Sequence, residues 1–214
     1  MHNVMKYIKF AVYLSVLLIF SVAHAGSYED FFVAVKRNDG GQVRELLQRG
    51  FDPNTLDPNG KPALILALHE ENYAVAEALM ARPDLNVNQL NPAGESALMM
   101  AALRGNLAWA ERLLARGAKV DKPGWTPLHY AATGPEPKIV KLLLERGAVV
   151  DAESPDKTTP LMMAARYGKE DSVTLLLAHG ADPKRTNARN MNAADFALGG
   201  GRDWLAARLA KTGG

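Results

Sequence analysis

The chain has 214 residues, 48% of them apolar and 22% charged, with a formal charge of +2. That balance excludes a disordered tail and a polytopic membrane protein, and the length allows one ordinary domain or two small ones. Cysteine is absent, which excludes a disulfide framework, a thiol nucleophile, a Cys-ligated zinc site and a lipid-modified N-terminal Cys.

The first element is an address. Lys6 and Lys9 form a basic start, Phe10–Val22 is a largely apolar run, and Ala23-His24-Ala25 supplies small residues where a signal peptidase reads. This three-part pattern predicts a secretory signal over 1–25, cleaved between Ala25 and Gly26. The leader resembles a bacterial one, so the expected location is periplasmic or secreted. The run falls short of the about 20 apolar residues that span a bilayer. The rival reading is an uncleaved anchor over Ile8–Ala25 holding a scaffold at a membrane. Removing Lys6 and Lys9 takes away no acid, so the mature 26–214 chain would carry no net charge.

The rest of the chain repeats. Thr126-Pro127-Leu128-His129-Tyr130-Ala131-Ala132 matches Thr159-Pro160-Leu161-Met162-Met163-Ala164-Ala165, with looser copies at Ser96–Ala102 and Pro62–Leu68. The anchors Phe31, Leu64, Leu98, Leu128, Leu161 and Ala194 are separated by 33, 34, 30, 33 and 33 residues. A second landmark lies 19 residues after each: Gly50, Pro83, Gly117, Gly147, Gly180 and Gly213. Two landmarks in step mean a repeat array. The predicted units are 27–54, 55–88, 89–121, 122–151, 152–184 and 185–214, the first and last acting as caps.

Each unit follows from local chemistry. Thr126 or Thr159 caps a helix start, and the Pro after it suits the first turn. Paired alanines let a neighbour approach the short inner helix closely. An outer helix follows, with apolar positions such as Val173, Leu176 and Leu177, and Gly180 ends it in the left-handed conformation. A turn-rich stretch leads to the next unit, with Asn59-Gly60 and Ala93-Gly94 as turn tips. One unit cannot bury its own apolar face, whereas stacked units can, so a solenoid is predicted.

The TPLHYAA and TPLMMAA motifs, with the Leu142–Ala148 and Leu175–Asp182 segments, resemble the ankyrin repeat family across Tyr28–Gly214. The resemblance implies an all-α solenoid of helix-turn-helix units with β-hairpin-like finger loops. It also implies that His129 is structural, tying adjacent repeats by hydrogen bonds. The 30-residue interval marks one departure: three residues are missing between Gly117 and Thr126.

Catalytic signatures fail. There is no G-x-S-x-G, H-E-x-x-H, G-x-x-x-x-G-K or G-x-G-x-x-G, and His69-Glu70-Glu71 has no second His on its face. Gly199-Gly200-Gly201 reads as a turn between the last two helices. No catalytic residue, cofactor or metal ligand is therefore assigned, and a neutral mature chain lacks the footprint of a nucleic-acid binder. One asymmetry survives. Lys184, Arg185, Arg189, Arg202, Arg208 and Lys211 outnumber Asp195 and Asp203 at the C-terminal end. They form either a solvated cap or a docking site for an acidic partner or anionic lipid.

In ankyrin-like proteins the finger tips and inner helices form a concave face that binds other proteins. Register places Lys61, Glu95, Trp125 and Thr158 just before the inner helices. His69, Glu70, Leu103, Arg104, Arg166 and Tyr167 follow the alanine positions, and Leu90 and Asp156 lie on fingers. Trp125 stands out, because aromatic residues and Arg dominate interface hot spots. With Arg104, Arg166 and Tyr167 it would make one patch; alternatively it plugs the gap left by the short finger. Trp109 and Trp204 are expected to pack between repeats, and Met99, Met100, Met162 and Met163 to fill the core, or some of them to lie exposed as adaptable contacts.

The expected function is a monomeric, non-enzymatic binding module without stable membrane insertion once its signal is removed. Inhibitor or immunity protein, partner of a stress-defence enzyme, and virulence factor acting on a host protein remain open within that class. An enzyme or small-molecule binder would need a deep pocket that a stacked solenoid rarely offers.

Overall fold

The computed structural model describes residues 26–212. The leader and Gly213 lie outside the described residues. Helix α1 covers residues 26–36. It is followed by α2 (Gly40–Gln48), α3 (Ala63–His69), α4 (Tyr73–Met80), α5 (Ala97–Leu103), α6 (Leu107–Ala115), α7 (Pro127–Thr133) and α8 (Pro137–Glu145). The last four are α9 (Pro160–Tyr167), α10 (Glu170–Ala178), α11 (Ala193–Gly199) and α12 (Asp203–Thr212). Among the described residues these form six helix pairs, with odd-numbered inner and even-numbered outer helices and no extended strand. None of the described helices is long and apolar enough to cross a membrane.

The pairs stack. Inner helices α3, α5, α7, α9 and α11 each pack on the next, and α8 bridges the outer helices α6 and α10. The anchors Phe31, Leu64, Leu98, Leu128 and Leu161 are all buried between them. So are the paired alanines Ala101-Ala102, Ala131-Ala132 and Ala164-Ala165. Their carbonyls meet the glycine that ends the next or the same unit's inner turn at backbone contact: a Cβ on Gly168 would sit 2.1 Å from the carbonyl oxygen of Ala132, one on Gly134 2.5 Å from that of Ala102. Outer helices end as the glycine landmark requires, with Gly180 at φ +87°.

Inner helices α5, α7, α9 and α11 begin on a common device, which α3, starting after Pro62, lacks. The third helical side chain folds back onto the capping amide: Met99 Sδ to Ser96 N (3.3 Å), His129 Nδ1 to Thr126 N (3.1 Å), Met162 Sδ to Thr159 N (3.4 Å) and Asp195 Oδ2 to Asn192 N (2.9 Å). Thr159 Oγ1 accepts from Met162 N at 3.4 Å, as expected of a cap. The Thr126 hydroxyl pairs with the His129 ring at 2.9 Å.

Fingers are turns closed by one side chain. The amides of Asp57, Asn91, Ser154 and Asn187 donate to the carbonyls of Lys61, Glu95, Thr158 and Met191 at 2.9–3.0 Å. Their side-chain oxygens accept the return bond from the same four residues at 2.7–3.1 Å. Hairpin character is otherwise confined to one bridge, Leu56 with Pro62. The finger before α7 is too short for this turn. There the Lys122 ammonium donates to the carbonyls of Pro123 (3.0 Å) and Trp125 (3.1 Å).

Successive fingers are tied in register. The side-chain oxygens of Asn54, Asn88, Asp121 and Asp151 accept from the amides of Asn86 (2.7 Å), Lys119 (2.8 Å), Val149 (2.9 Å) and Asp182 (3.2 Å). Arg202 closes the far end, donating from one nitrogen to the carbonyls of Ala164, Ala165 and Gly168 at 2.9–3.0 Å.

Two tryptophans behave differently from each other. Trp109 is buried, stacked on Tyr73 of the preceding pair at 6.1 Å, with the Arg112 guanidinium 4.2 Å over its ring. Trp204, also expected between repeats, is 53% exposed on α12 because no described unit packs beyond it.

If backbone contact between inner helices is the tightest constraint, Gly168→Ala should cost about 2–4 kcal/mol. Gly180→Ala, whose Cβ would point into open space, should cost only about 1 kcal/mol of left-handed strain. Urea unfolding of the two variants measures both; equal losses would contradict the reading.

Candidate concave binding site

The short finger leaves a gap, and an aromatic cavity fills it. Leu103 from α5, Trp125 from the finger, His129, Tyr130 and Thr133 from α7, and Met163 from α9 line a cavity of about 290 Å³. Three successive units thus contribute. Trp125 is half-buried, its ring edge-on to His129 with centroids 5.1 Å apart. It is therefore a wall of the cavity at the short finger.

His129 fixes that wall. Nδ1 accepts from the Thr126 amide, so Nε2 carries the proton that it donates to the Thr158 carbonyl of the next unit, at 2.9 Å. The imidazole is buried, and burial pushes its pKa below the ordinary histidine value despite the Thr158 carbonyl and the nearby Asp121 and Asp156 charges. Tyr130 is held similarly. Its hydroxyl donates to Glu95 of the preceding unit at 2.6 Å, while Thr133 Oγ1 donates to its backbone carbonyl at 2.8 Å. Partial burial and the Glu95 carboxylate push its phenol far above the ordinary tyrosine value, so it stays a neutral donor.

The predicted site residues separate into groups. Leu103 and Trp125 meet in the cavity. Glu95 stands behind it, accepting also from Asn91 Nδ2 at 2.6 Å. Arg166 and Tyr167 end α9 and do not line it; the guanidinium lies 5.2 Å over the 60% exposed Tyr167 ring and against Gly199 of the next unit. Arg104 turns back to Glu71 at 3.8 Å. Lys61, His69 and Glu70 are exposed on the second unit, His69 paired with Glu70 at 2.7 Å, and none of them lines the cavity. Leu90, exposed at its finger, lines a separate cavity of about 250 Å³ with Val87, Lys119 and Lys122.

Two expectations need correction. Thr158 is buried, because its carbonyl serves His129 and its amide serves Ser154 Oγ (2.9 Å). Asp156 is half-buried and bound within its own finger by Ser154 Oγ (2.5 Å) and the Thr158 amide (3.3 Å). Those bonds, led by the one from Ser154, hold its carboxyl below the ordinary aspartate value.

Sequence reasoning missed Tyr130 and did not single out Met163 among the four inner-helix methionines. Met99, Met100 and Met162 are buried as expected, whereas Met163 is only partly covered and lines the cavity. Tyr130 and Met163 share one register, two residues after the anchor, which Leu66, Met100 and Phe196 also occupy. A large apolar residue recurring at that inward register was the available signal.

A family model for ankyrin repeats (3 copies) matches residues 31–123 and 110–187. The chain belongs to the ankyrin repeat family. Its ankyrin units are 48% identical over 63 residues to human neurogenic locus notch homolog protein 4, covering 29% of this chain and 3% of that protein. They are 43% identical over 81 residues to a probable E3 ubiquitin-protein ligase XBOS34 of Oryza sativa subsp. japonica, covering 36% and 16%. They are 34% identical over 88 residues to ankyrin repeat, SAM and basic leucine zipper domain-containing protein 1 of Chlorocebus aethiops, covering 39% and 18%. The chain thus spans less than a fifth of the length of each of these relatives.

The ankyrin histidine gives a pH test. Its folded pKa is depressed, so the unfolded chain binds the proton first, and stability falls as pH drops below about 6.5 toward the folded value. His129→Gln should lower the urea midpoint at pH 7.5 and flatten its decline between pH 7 and 5. An equally steep decline in the variant would show that His129 is not the buried neutral group.

Proposed function

We propose that this chain is a non-enzymatic protein-interaction module, exported behind its leader, which holds a protein partner on its concave face. The carrying observation is the Trp125 cavity. It is apolar, is walled by three successive units and has a half-buried aromatic at its edge. Interface hot spots concentrate on such desolvated aromatic anchors surrounded by rim residues that exclude water. Family membership supports the same reading, because ankyrin repeats are interaction scaffolds.

The polar groups at the cavity have structural occupations. His129 is committed on both ring nitrogens, and the Tyr130 hydroxyl to Glu95. Neither is poised to exchange a proton with a ligand, which favours recognition over chemistry.

Affinity capture from periplasmic extract tests the reading. The wild-type chain should retain a saturable protein partner. Trp125→Ala should weaken it by about 2 kcal/mol or more. N-terminal sequencing of the exported protein should begin at Gly26. Capture that is equal for both variants, or a retained leader, would overturn the corresponding half of the proposal.

A further inference from the structure

We infer that Met163 is an oxidation site that controls the Trp125 cavity, which rests on the concave-face reading above and adds its regulation. With the thioether intact the cavity accepts an apolar group; as the sulfoxide it refuses one.

The sulfur atoms of this chain are unevenly guarded. Cysteine is absent, so thioethers are its only sulfur groups open to oxidation. Among the described methionines Met80, Met99, Met100 and Met162 are buried. The sulfur atoms of Met99 and Met162 also accept from the Ser96 and Thr159 amides. Met163 and Met191 are only partly covered. Of these two, Met163 alone lines the Trp125 cavity. Oxidation follows exposure, so a dissolved oxidant meets Met163 at the cavity while the stack screens the buried thioethers.

With hydrogen peroxide as the oxidant the step balances. A sulfur lone pair attacks one peroxide oxygen; the O–O bond breaks and an S–O bond forms. The second oxygen leaves as hydroxide and takes the proton of the first to become water. Sulfur gives up two electrons and the peroxide receives them. A flexible apolar side chain thereby becomes a polar one.

The cavity has little to offer the new oxygen. His129 Nε2 donates to the Thr158 carbonyl, the Tyr130 hydroxyl to Glu95, and Thr133 Oγ1 to the Tyr130 carbonyl. That leaves the Trp125 indole N–H among the side-chain donors of the wall. Either water or that N–H must meet the sulfoxide, because burying the oxygen unpaired is costly. Both put polar matter where an apolar group would sit. Met163 belongs to the cavity wall and not to the fully buried core, so the change falls on recognition and leaves the stack folded.

The test combines a rate with an affinity. Hydrogen peroxide is added to the isotope-labelled chain, and peptide mass spectrometry follows each methionine. Met163 should gain one oxygen at least about tenfold faster than Met99, Met100 and Met162. The apolar probe N-acetyl-phenylalaninamide is then titrated while the Trp125 indole N–H is followed by NMR. Oxidation should weaken the probe about tenfold with the urea midpoint retained. Methionine sulfoxide reductases for both epimers, with dithiothreitol, should restore it. Met163→Leu should keep its probe affinity through the same treatment, Met191→Leu should lose it like the wild type, and Met163→Gln should bind weakly without any oxidant.

Unchanged affinity once Met163 is oxidised would overturn the control while leaving the cavity reading intact. Equal oxidation rates for the four inner-helix methionines would overturn it, as would loss of affinity in the oxidised Met163→Leu chain. No binding of the probe to the untreated chain would overturn it too, and the capture experiment with Trp125→Ala then decides separately whether the cavity is the binding site.

Discussion

Gly168 lies so close to the carbonyl of Ala132 that even one methyl group would force two inner helices apart. The stack depends on this backbone-to-backbone approach. It fits the paired alanines of α5, α7 and α9, the burial of the anchors, and the reach of the side-chain oxygens of Asn54, Asn88, Asp121 and Asp151 to the next unit's amide. A unit offers no such closure by itself, so stability resides in nearest-neighbour contacts.

A stack built this way has a repetitive surface, and specificity must come from departures. The three-residue deletion before α7 is the largest. It removes the turn that the other fingers close through Asp57, Asn91, Ser154 and Asn187, and Lys122 holds the remaining loop through two carbonyls. Trp125 comes to rest at the edge of His129, with Leu103, Tyr130 and Met163 around it. The same imidazole that buttresses this wall also ties α7 to the next unit, so the cavity is pre-organised by the stack.

The period, the helix pairing and the glycine stops were legible because they follow from spacing and local conformation. Trp125 and Leu103 were legible as odd residues at exposed registers. Thr158 was not, since its burial depends on a partner, His129, that lies 29 residues away. Tyr130 was hidden because its register reads as core, although Leu66 and Met163 at the same register are also only partly covered. Trp204 reads like Trp109 in sequence, yet only Trp109 has a neighbouring aromatic ring, Tyr73, to stack on.

On the proposed function, the short fourth finger opens the cavity that takes the partner. Inserting three residues between Lys122 and Pro123, to restore finger length, tests it most directly when the dissociation constant of the captured partner is measured. Binding should become at least about tenfold weaker with no fall in the urea midpoint. An unchanged dissociation constant would contradict it.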